Sequence, residues 1–528
     1  MKSSAALALV LPLVAALPAH VAHASGPVEV LMGIYFDPED AQRLIVRYDN
    51  SGSKTGLIYS DDAGATFNLV CTSAIAEAAL RATPDASSDL KSETRSSLLR
   101  ARMALVTGGG RTLVGTTSGL FEDDGTGCGY RAVSELGDLW IAGLASTADE
   151  PRVGYVLTNG GSDDPQEGLW KRDADGTYTK LSDRLAPPDG QSWTNSGLLA
   201  AKLSAGGTRF YTVQLRFDLT AGGATFSLLS SDDDGAHWSE HDLDDVPDQA
   251  SFYLLGVDPT NEDRVLGMYQ RSKDGGDYAS NKDTVLVSED GGQTFAPYFD
   301  GTTISGAQFM ADGTLWISDS GSESGDLSMP MGLYKSAPGL ASQPEHVITD
   351  QSITCVGAQS GGSDLYLCHR TDFGRYDPSS KTFTQLTSMT SVQSIKSCAG
   401  QDVAADCHDQ LCMAGWCGPV HFASAPMCTA YHEQYCGPQA EDWANGGPDG
   451  GSMPGDGGAS EGHSDGDGDS LLDGGAPDDS GLGASKHAKD TCAVHPSGST
   501  ASPSLSALFT LLAALGLRLR RTRKDPSR

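Results

Sequence analysis

Short apolar runs alternate with polar turns along most of the chain, most clearly in its middle. Segments 252–257 and 264–269 read as two strands joined by a polar turn at 258–263. After a longer polar loop, 284–288 and 295–299 read as two more. Short or alternating apolar segments bounded by Gly, Asp and Asn are typical of half-buried strands and their turns. The pattern therefore predicts a unit of four antiparallel strands here.

The same succession recurs further along. Segments 304–310 and 314–318 repeat the first two strands of that unit, and 353–358 and 365–368 repeat them again. A helical period of 3.6 residues is not sustained in this body, and its one helical candidate is 74–81. We therefore expect an all-β protein built from repeated units.

Three of the predicted turns share an eight-residue pattern. The stretches 60–67, 231–238 and 288–295 each read Ser-x-Asp-x-Gly-x-(Thr/His)-aromatic. An Asp carboxylate can accept hydrogen bonds from turn amides, Gly adopts positive φ, and an aromatic side chain can anchor the outgoing strand. These structural roles are predicted for Ser60, Asp62, Gly64, Phe67, Ser231, Asp233, Gly235, Trp238, Ser288, Asp290, Gly292 and Phe295.

This pattern resembles the Asp-box of sialidase-like β-propellers, which recurs from blade to blade. The interval between the first two boxes holds two further units, with degenerate copies at 119–130 and 168–176. Two more copies, at 332–336 and 373–383, follow the last box. Seven units are a common blade number for propellers. The expected fold is an all-β, seven-bladed propeller of four-stranded antiparallel blades over residues 25–396.

Composition agrees with this fold and narrows the partners. The chain has 64 Gly and is 38% hydrophobic, which suits one large, turn-rich β domain. A body of roughly 370 residues can bury ample apolar surface. The net charge of −33 argues against a nucleic-acid partner, because phosphate contacts need a basic face.

The start of the chain predicts export. Lys2 precedes an apolar run at 5–17, and small residues lead up to Ser25. These are the features of a secretory signal peptide, here residues 1–24. We expect secretion across the inner membrane.

The end of the chain predicts attachment to a membrane. Segment 505–517 is apolar, shorter than the ~20 residues that normally span a bilayer, so it would depend on snorkelling arginines. Charge bias places a basic tail on the cytoplasmic side and the propeller outside. The basic residues are Arg518, Arg520, Arg521, Arg523 and Lys524.

The segment 491–528 also resembles the sorting tails of myxobacterial surface proteins. Cys492 is followed by a Ser/Pro spacer, the apolar segment and the basic cluster. The resemblance implies that Cys492 is the processing and attachment site and that the apolar helix is removed. The protein would then be displayed at the cell surface or outer membrane.

Six of the eleven cysteines cluster directly after the last predicted blade. Three disulfides in a small module at 397–437 are favoured, because secreted proteins are oxidised and paired C-x-x-C knuckles are missing. A zinc site with the neighbouring His408, His421 and His432 is the alternative. We expect this module to clip the last blade or cap the ring, without metal or cofactor. Its cysteines are Cys398, Cys407, Cys412, Cys417, Cys428 and Cys436.

A further disulfide is predicted from strand register. If 353–358 and 365–368 form a hairpin in which Ala358 faces Leu365, Cys355 lies directly opposite Cys368. Opposed residues in antiparallel strands have Cα atoms ~4.5–5.5 Å apart, which a disulfide accepts.

Residues 438–490 are rich in Gly, Asp, Ser and Pro and predict a disordered acidic linker. Four aspartates within it are spaced like calcium ligands. However, Ser470 and Ala476 stand where such a loop needs its turn Gly and its bidentate Glu. A solvated linker is therefore favoured. The four are Asp465, Asp467, Asp469 and Asp473.

The motifs favour binding over catalysis. Sialidases use an arginine cluster that includes an early Arg-Ile-Pro, and here Arg43 is followed by Leu-Ile-Val. Serine-nucleophile elbows, phosphate loops and His-Glu-x-x-His are missing from the predicted propeller, residues 25–396. We expect a non-catalytic recognition module for a surface glycan or protein. The alternative is a sialidase-like glycoside hydrolase with paired loop carboxylates.

A ligand is expected on the face opposite the Asp-boxes, around the central channel. The long connections between second and third strands of blades 4, 5 and 6, at 216–224, 270–282 and 319–331, emerge there. Trp193, in the loop after blade 3, adds a platform on which a sugar could stack. Solvated loop tips, and burial of Trp193 between blades, are the alternatives. The loop candidates are Arg216, Arg271, Asp274, Asp277, Tyr278, Asp319, Glu323 and Asp326.

Overall fold

A computed structural model describes most of the predicted propeller. The predicted signal peptide, the linker, the C-terminal tail with Cys492, and four cysteines of the module (Cys412, Cys417, Cys428 and Cys436) lie outside the described residues. Among the described residues, no helix is long and apolar enough to cross a membrane. The described residues are 29–50, 54–82, 103–117, 119–159, 166–183, 185, 192–218, 223–243, 250–271, 282–321, 331–349, 351–359, 363–398, 402, 403 and 407.

The strands form seven antiparallel sheets of consecutive strands, so the predicted seven-bladed propeller is confirmed. The first strand of each blade contacts the first strands of both neighbours and the fourth lies at the rim. Blades 1 to 4 comprise β1 (Glu29–Phe36), β2 (Leu44–Asn50), β3 (Lys54–Ser60), β4 (Asn68–Cys71); β5 (Met103–Thr107), β6 (Arg111–Thr116), β7 (Gly119–Glu122), β8 (Arg131–Ala132); β9 (Trp140–Ala145), β10 (Gly154–Asn159), β11 (Gly168–Arg172), β12 (Tyr178–Ser182); and β13 (Ser192–Lys202), β14 (Thr208–Asp218), β15 (Gly223–Ser231), β16 (Ser239–Asp242).

The remaining blades continue the same up-and-down order. Blades 5 to 7 comprise β17 (Ala250–Asp258), β18 (Asn261–Arg271), β19 (Asp283–Ser288), β20 (Ala296–Gly301); β21 (Ile304–Phe309), β22 (Leu315–Asp319), β23 (Gly332–Lys335), β24 (Glu345–Thr349); and β25 (Cys355–Ala358), β26 (Leu365–His369), β27 (Asp372–Asp377), β28 (Thr382–Ser388). A two-residue strand, β29 (Ser394–Ile395), follows blade 7.

The core is distributed between neighbouring blades. Leu228 of blade 4 packs in one buried cluster with Phe252 and Val265 of blade 5, and all three are at most 2% exposed. Burying such a side chain contributes about 1.5–3 kcal/mol. Alternation along each strand thus supplies apolar side chains to both faces of a blade.

The predicted helix is present as α1 (Thr72–Ala82), which follows blade 1. Its residues Ala74, Ile75 and Ala79 are at most 2% exposed and belong to the core around blades 1 and 7. The helix therefore packs on the body as a covered insertion.

The ring closes through a short strand and two disulfides that the sequence did not reveal. After blade 7 the chain crosses to blade 1, where β29 pairs in parallel with β4. Cys398 then bonds to Cys128 of blade 2, and Cys407 to Cys71 at the end of β4. We call residues 394–407 the strap.

The strap corrects the predicted module. The expectation of three disulfides within the cluster of six cysteines is wrong for Cys398 and Cys407, whose partners are Cys128 and Cys71. Those partners are far away in sequence, and only the closed ring brings them near the strap. The disulfide Cys355–Cys368 is confirmed, with the two residues directly paired and a Cα–Cα distance of 4.8 Å.

Candidate functional site

The propeller has two unlike faces. The box face holds the Asp-box turns, which join third to fourth strands, together with the turns that join first to second strands. The loop face holds the connections from second to third strands and those leading to the next blade. This division follows from the antiparallel order of each blade, and it positions every residue considered below.

The three Asp-box turns have the predicted geometry. In the third box, Asp290 Oδ1 accepts hydrogen bonds from the Ser288 hydroxyl at 2.8 Å and from the Thr294 amide at 2.9 Å. The Ser288 hydroxyl oxygen accepts the amide of Gly292 at 2.7 Å, and Gly292 has φ +89°. Phe295 packs edge-to-face on Phe252 of the same blade, with ring centroids 5.6 Å apart. The other boxes repeat these bonds.

These hydrogen bonds keep the box carboxylates ionised. The backbone and side chain of His237 lower the pKa of Asp233 to about 2. Burial acts to raise the pKa of Asp290, but hydrogen bonds from Thr294 and Ser288 outweigh it and hold that pKa below its usual value. A charged acceptor bound to several donors is a structural element of its turn rather than a proton donor.

An arginine stands at the same place in four blades, directly before the second-strand residue that faces the box serine or its equivalent. In blade 4, for example, Arg209 precedes Phe210, which pairs with Ser231. In the three blades with an Asp-box, the acidic residue after the box serine pairs with the arginine of its blade, as Asp232 does with Arg209, whereas Arg111 of blade 2 pairs with Glu122. The four are Arg43, Arg111, Arg209 and Arg264.

Two of these arginines also reach the next blade. Arg43 donates from Nη1 to the carbonyl oxygens of Gly110 at 2.8 Å and Gly125 at 2.7 Å, in two turns of blade 2. Arg209 donates from Nη1 to the Glu262 carbonyl of blade 5 at 3.2 Å and also bonds Asp263. The arginines therefore join neighbouring blades on the box face. Arg43, Arg209 and Arg264 each precede two apolar residues, and this recurrence was the sequence signal that could have found them.

The loop face at blade 4 brings two predicted residues together. Trp193 of β13 and Arg216 of β14 are paired in register. The predicted loop 216–224 is shorter than expected, because β14 continues to Asp218 and β15 starts at Gly223. Arg216 is therefore a strand residue, held in a regular ladder.

Arg216 ends a chain of polar side chains. Its Nε donates to Gln214 at 2.9 Å, and its guanidinium pairs with Glu240 of β16. Gln214 in turn donates to Asn195 at 3.4 Å, whose carbonyl accepts from Asn159 of blade 3 at 2.7 Å. Gln214 and Asn195 are 1% exposed, whereas the side chains of Arg216 and Glu240 are 18% and 34% exposed. The chain thus runs from a buried base to a polar pair at the surface.

Asp319 has a different role from a loop-tip ligand. Its side chain is fully buried at the end of β22, and its two oxygens accept from the amides of Thr302, Thr303 and Gly321 at 2.7–3.0 Å. The carboxylate therefore anchors the connection between blades 5 and 6.

The remaining candidates are only partly or not at all within the described part of the chain. Arg271 is the last residue of β18. For Arg271 and Trp193 the structure describes the backbone but not the side chain. Five others fall in 272–281 and 322–330, outside the described residues: Asp274, Asp277, Tyr278, Glu323 and Asp326.

A buried ionic cluster on the box face was also not foreseen. Glu122 of blade 2 accepts from Arg172 of blade 3 at 2.6 Å, and both side chains are 1% exposed. Arg131 adds a bond at 3.2 Å and Tyr178 one at 3.3 Å. Because each charge has an opposite partner, the cluster joins blades 2 and 3 without a bare buried charge.

No family model and no curated protein sequence matches the chain. Among solved structures, it is similar to the GH74 enzyme of Niastella koreensis (14% identity, TM-score 0.37, 67% of this chain and 51% of that one). It is also similar to the sialidase of Trypanosoma rangeli, with 13% identity and a TM-score of 0.33 over 68% of this chain and 54% of that one. A third similar structure is the Pan2 WD40 domain of Neurospora crassa, with 10% identity and a TM-score of 0.35 over 64% of this chain and 86% of that one. The alignments span about half the length of the two enzymes.

Proposed function

We propose that this propeller is a non-catalytic recognition module, exported and held at the cell surface, which binds a glycan or protein on its loop face. The observation that carries the proposal is the contrast between the two faces. Arginines bind the box-face turns of blades 1 and 2, and those of blades 4 and 5, to one another, whereas blades 5 and 6 carry long connections on the loop face. Extended loops on a rigid scaffold are where binding residues concentrate.

The lengths of these connections differ sharply around the ring. In blades 2 and 7 the second strand turns almost directly into the third, from Thr116 to Gly119 and from His369 to Asp372. In blade 5 the chain leaves at Arg271 and returns at Asp283, and in blade 6 it leaves at Asp319 and returns at Gly332. The proposed binding surface covers blades 4 to 6.

The base of this surface is built for precision. The polar chain from Asn159 to Arg216 fixes side chains of the first and second strands of blade 4, and the pairing of Arg216 with Glu240 of the fourth strand leaves a partly exposed polar pair. A paired arginine at a partly exposed position can exchange its carboxylate partner for a ligand group.

Location is the second part of the proposal. It rests on the signal peptide predicted at 1–24 and on the tail at 491–528, which resembles a sorting tail. Truncation after Lys489 should release the protein into the medium, because it removes Cys492, the apolar segment and the basic cluster. Cys492→Ala should weaken retention. Fractionation that finds the truncated form still bound to cells would contradict the anchor.

The binding role is tested with the purified protein on a glycan array and on intact cells. Wild type should bind, and Arg216→Ala should reduce binding at least tenfold, while Arg375→Ala, an exposed arginine of blade 7, should not. Loss of cell binding after glycosidase treatment indicates a glycan, and loss after protease treatment indicates a protein. Turnover of a glycoside by the wild type would instead support the hydrolase.

A further inference from the structure

The box face has an open cleft between blades 6 and 7. Its volume is about 300 Å³, at the lower end of the range of small-ligand sites. It belongs to neither the loop face nor the arginine contacts described above. The residues that line it are Met310, Ala311, Asp312, Thr314, Trp316, Lys335, Ser363 and Pro378.

The cleft lies where two arginines of the repeat are missing. In blade 6, Ser336 is the equivalent of the box serine, and its amide donates to the carbonyl of Leu315 at 2.9 Å. Leu315 is therefore the facing residue, and Thr314, directly before it, occupies the position of the arginine. In blade 7, Leu365 pairs with Tyr376, so the same register places Asp364 opposite Asp377, the equivalent of the box serine. Ser363, directly before Asp364, therefore occupies the position of the arginine. Both replacements are short hydroxyl side chains that line the cleft.

The walls of the cleft match the path of the missing side chain. Arg43 of blade 1 reaches the first-to-second-strand turn and the third-to-fourth-strand turn of blade 2. In blade 7, the corresponding turns contribute Ser363 and Pro378 to the lining. The cleft is thus the space that an arginine from blade 6 would fill. The acidic partners are lost as well, since Ala337 and Pro378 stand where the boxes have Asp or Glu.

The groups left in the cleft suit a particular ligand chemistry. Asp312 accepts the Thr314 amide through Oδ1 at 2.9 Å. Lys335 lies with Nζ 5.2 Å from the centroid of the Trp316 ring, and it makes no ion pair with any described carboxylate. An ammonium, a carboxylate and two hydroxyls therefore meet in one space, beside an indole that is itself only 2% exposed. Ammonium, carboxylate and hydroxyl groups together can donate hydrogen bonds to, and accept them from, the vicinal hydroxyls of a sugar ring.

We propose that this cleft between blades 6 and 7 binds an uncharged monosaccharide unit. Lys335 would donate to, and Asp312 accept from, adjacent sugar hydroxyls, with Thr314 and Ser363 completing the polar side. A cationic ligand would meet Lys335. An anionic ligand would meet Asp312 and the field of a chain with net charge −33. The inference is independent of the loop face, because none of these residues belongs to it.

The repeat itself supplies the test. Thr314→Arg restores the residue found in four other blades and should fill the cleft while keeping the fold. Asp312→Asn, at an exposed position, removes the carboxylate acceptor. Thr314→Ser is the matched control, and Arg216→Ala leaves this face intact. Saturation-transfer NMR measures binding of the methyl glycosides of glucose, galactose, mannose and N-acetylglucosamine, with methylguanidinium and acetate as charged comparison probes.

At least one methyl glycoside should bind the wild type, Thr314→Ser and Arg216→Ala with similar affinity. Thr314→Arg should lower the affinity at least tenfold, and Asp312→Asn severalfold, with melting temperatures near that of the wild type. Absence of glycoside binding to the wild type overturns the proposal. So does equal binding by Thr314→Arg, or binding of methylguanidinium or acetate in preference to sugars. If Arg216→Ala binds cells as well as the wild type does while glycosides still bind this cleft, only the loop-face proposal is contradicted.

Discussion

Two junctions between blades solve the same packing problem by different means. Between blades 4 and 5 the chain is continuous, and Arg209 links the turns through Asp232, Asp263 and a carbonyl of blade 5. Between blades 7 and 1 the two ends of the propeller segment meet. There, β1 contacts β25, the Thr354 hydroxyl donates to the Leu31 carbonyl at 2.7 Å, and the strap adds a strand and two disulfides.

The difference follows from chain entropy. Within the ring, connectivity already holds successive blades close together, so ionic and apolar contacts suffice. At the closing junction, the two ends of the propeller must be brought together from far apart in sequence, and the cost of closing that loop is large. A covalent link removes much of this cost by restricting the unfolded chain. The closing junction is therefore the one where disulfides should matter most.

The largest effect is expected from the strap. The double variant Cys71→Ser/Cys407→Ser should lower the free energy of unfolding by about 3–5 kcal/mol, because, with Cys128–Cys398 intact, it still releases in the unfolded chain the long loop made of segments 71–128 and 398–407. The matched control is Cys355→Ser/Cys368→Ser, whose separation is 13 and whose loss should be ~3 kcal/mol or less. Denaturant unfolding measures both. A larger loss for the control would remove the entropic explanation.

The next effect concerns pH at the junction of blades 1 and 2, beside the Cys128–Cys398 disulfide. Asp123 is fully buried, one oxygen accepts the Gly127 amide at 2.8 Å, and the other has no hydrogen bond to described residues. Burial, together with the neighbouring Asp124, raises the pKa of Asp123 to about 7, and the Gly127 amide and, more weakly, Arg43 oppose the shift. The folded state therefore holds a proton that the unfolded state, with a pKa of about 3.9, releases earlier.

For an acid with a raised pKa, stability is fully present below the unfolded pKa and is lost as pH rises through the folded one. The wild type should lose stability between about pH 4 and pH 7, and Asp123→Asn should flatten this slope. The variant should exceed the wild type at pH 8 by ~1–3 kcal/mol and approach it at pH 5. Melting temperatures across this range provide the measurement. Parallel pH profiles would show that Asp123 is not the group responsible.

A smaller effect is expected from an Asp-box turn. Asp290→Ala should lower the free energy of unfolding by about 1–2 kcal/mol, since the turn loses hydrogen bonds from Ser288 and Thr294. Binding per folded molecule should not change. A normal melting curve with lost binding would transfer Asp290 from a structural role to a ligand site.

The smallest effect is expected at the junction of blades 4 and 5. Arg209→Lys keeps the charge but replaces the two separate donor nitrogens, Nε towards Asp232 and Nη1 towards Asp263 and the carbonyl of blade 5, by a single ammonium. We expect a loss of ~1 kcal/mol at low salt that shrinks as salt screens the ion pairs. Thermal melts at two salt concentrations test this. A loss that grows with salt would contradict an ionic link.

Local pattern carried much of the fold. Because alternation and the box motif are encoded over a few neighbouring residues, the strands of blades 5 to 7, the box turns around Asp62, Asp233 and Asp290, and the register of Cys355 and Cys368 followed from short segments. Pairing across the ring did not. Cys398 sits beside Cys407 in sequence, so a local module was expected, yet their partners become neighbours only after blade 7 meets blade 1.

The candidate site shows the same limit. Asp319 is an acidic residue at the start of a predicted loop, as a ligand-binding residue would be, and its burial under three backbone amides depends on the turn between blades 5 and 6. Arg216 was placed in a loop because strand length in blade 4 is set by pairing with β13 and β15, which extend past the apolar run. The cleft between blades 6 and 7 required alignment of the blades in space.

The strap imposes an order on the making of the molecule. During synthesis from the N-terminus, Cys71 and Cys128 appear 336 and 270 residues before their partners. Blade 1 can fold early, but its fifth strand and its covalent link arrive only when the rest of the ring exists. Until then, two thiols must avoid each other and the pair Cys355–Cys368. The two strap disulfides can therefore form only after the chain of all seven blades has been synthesised.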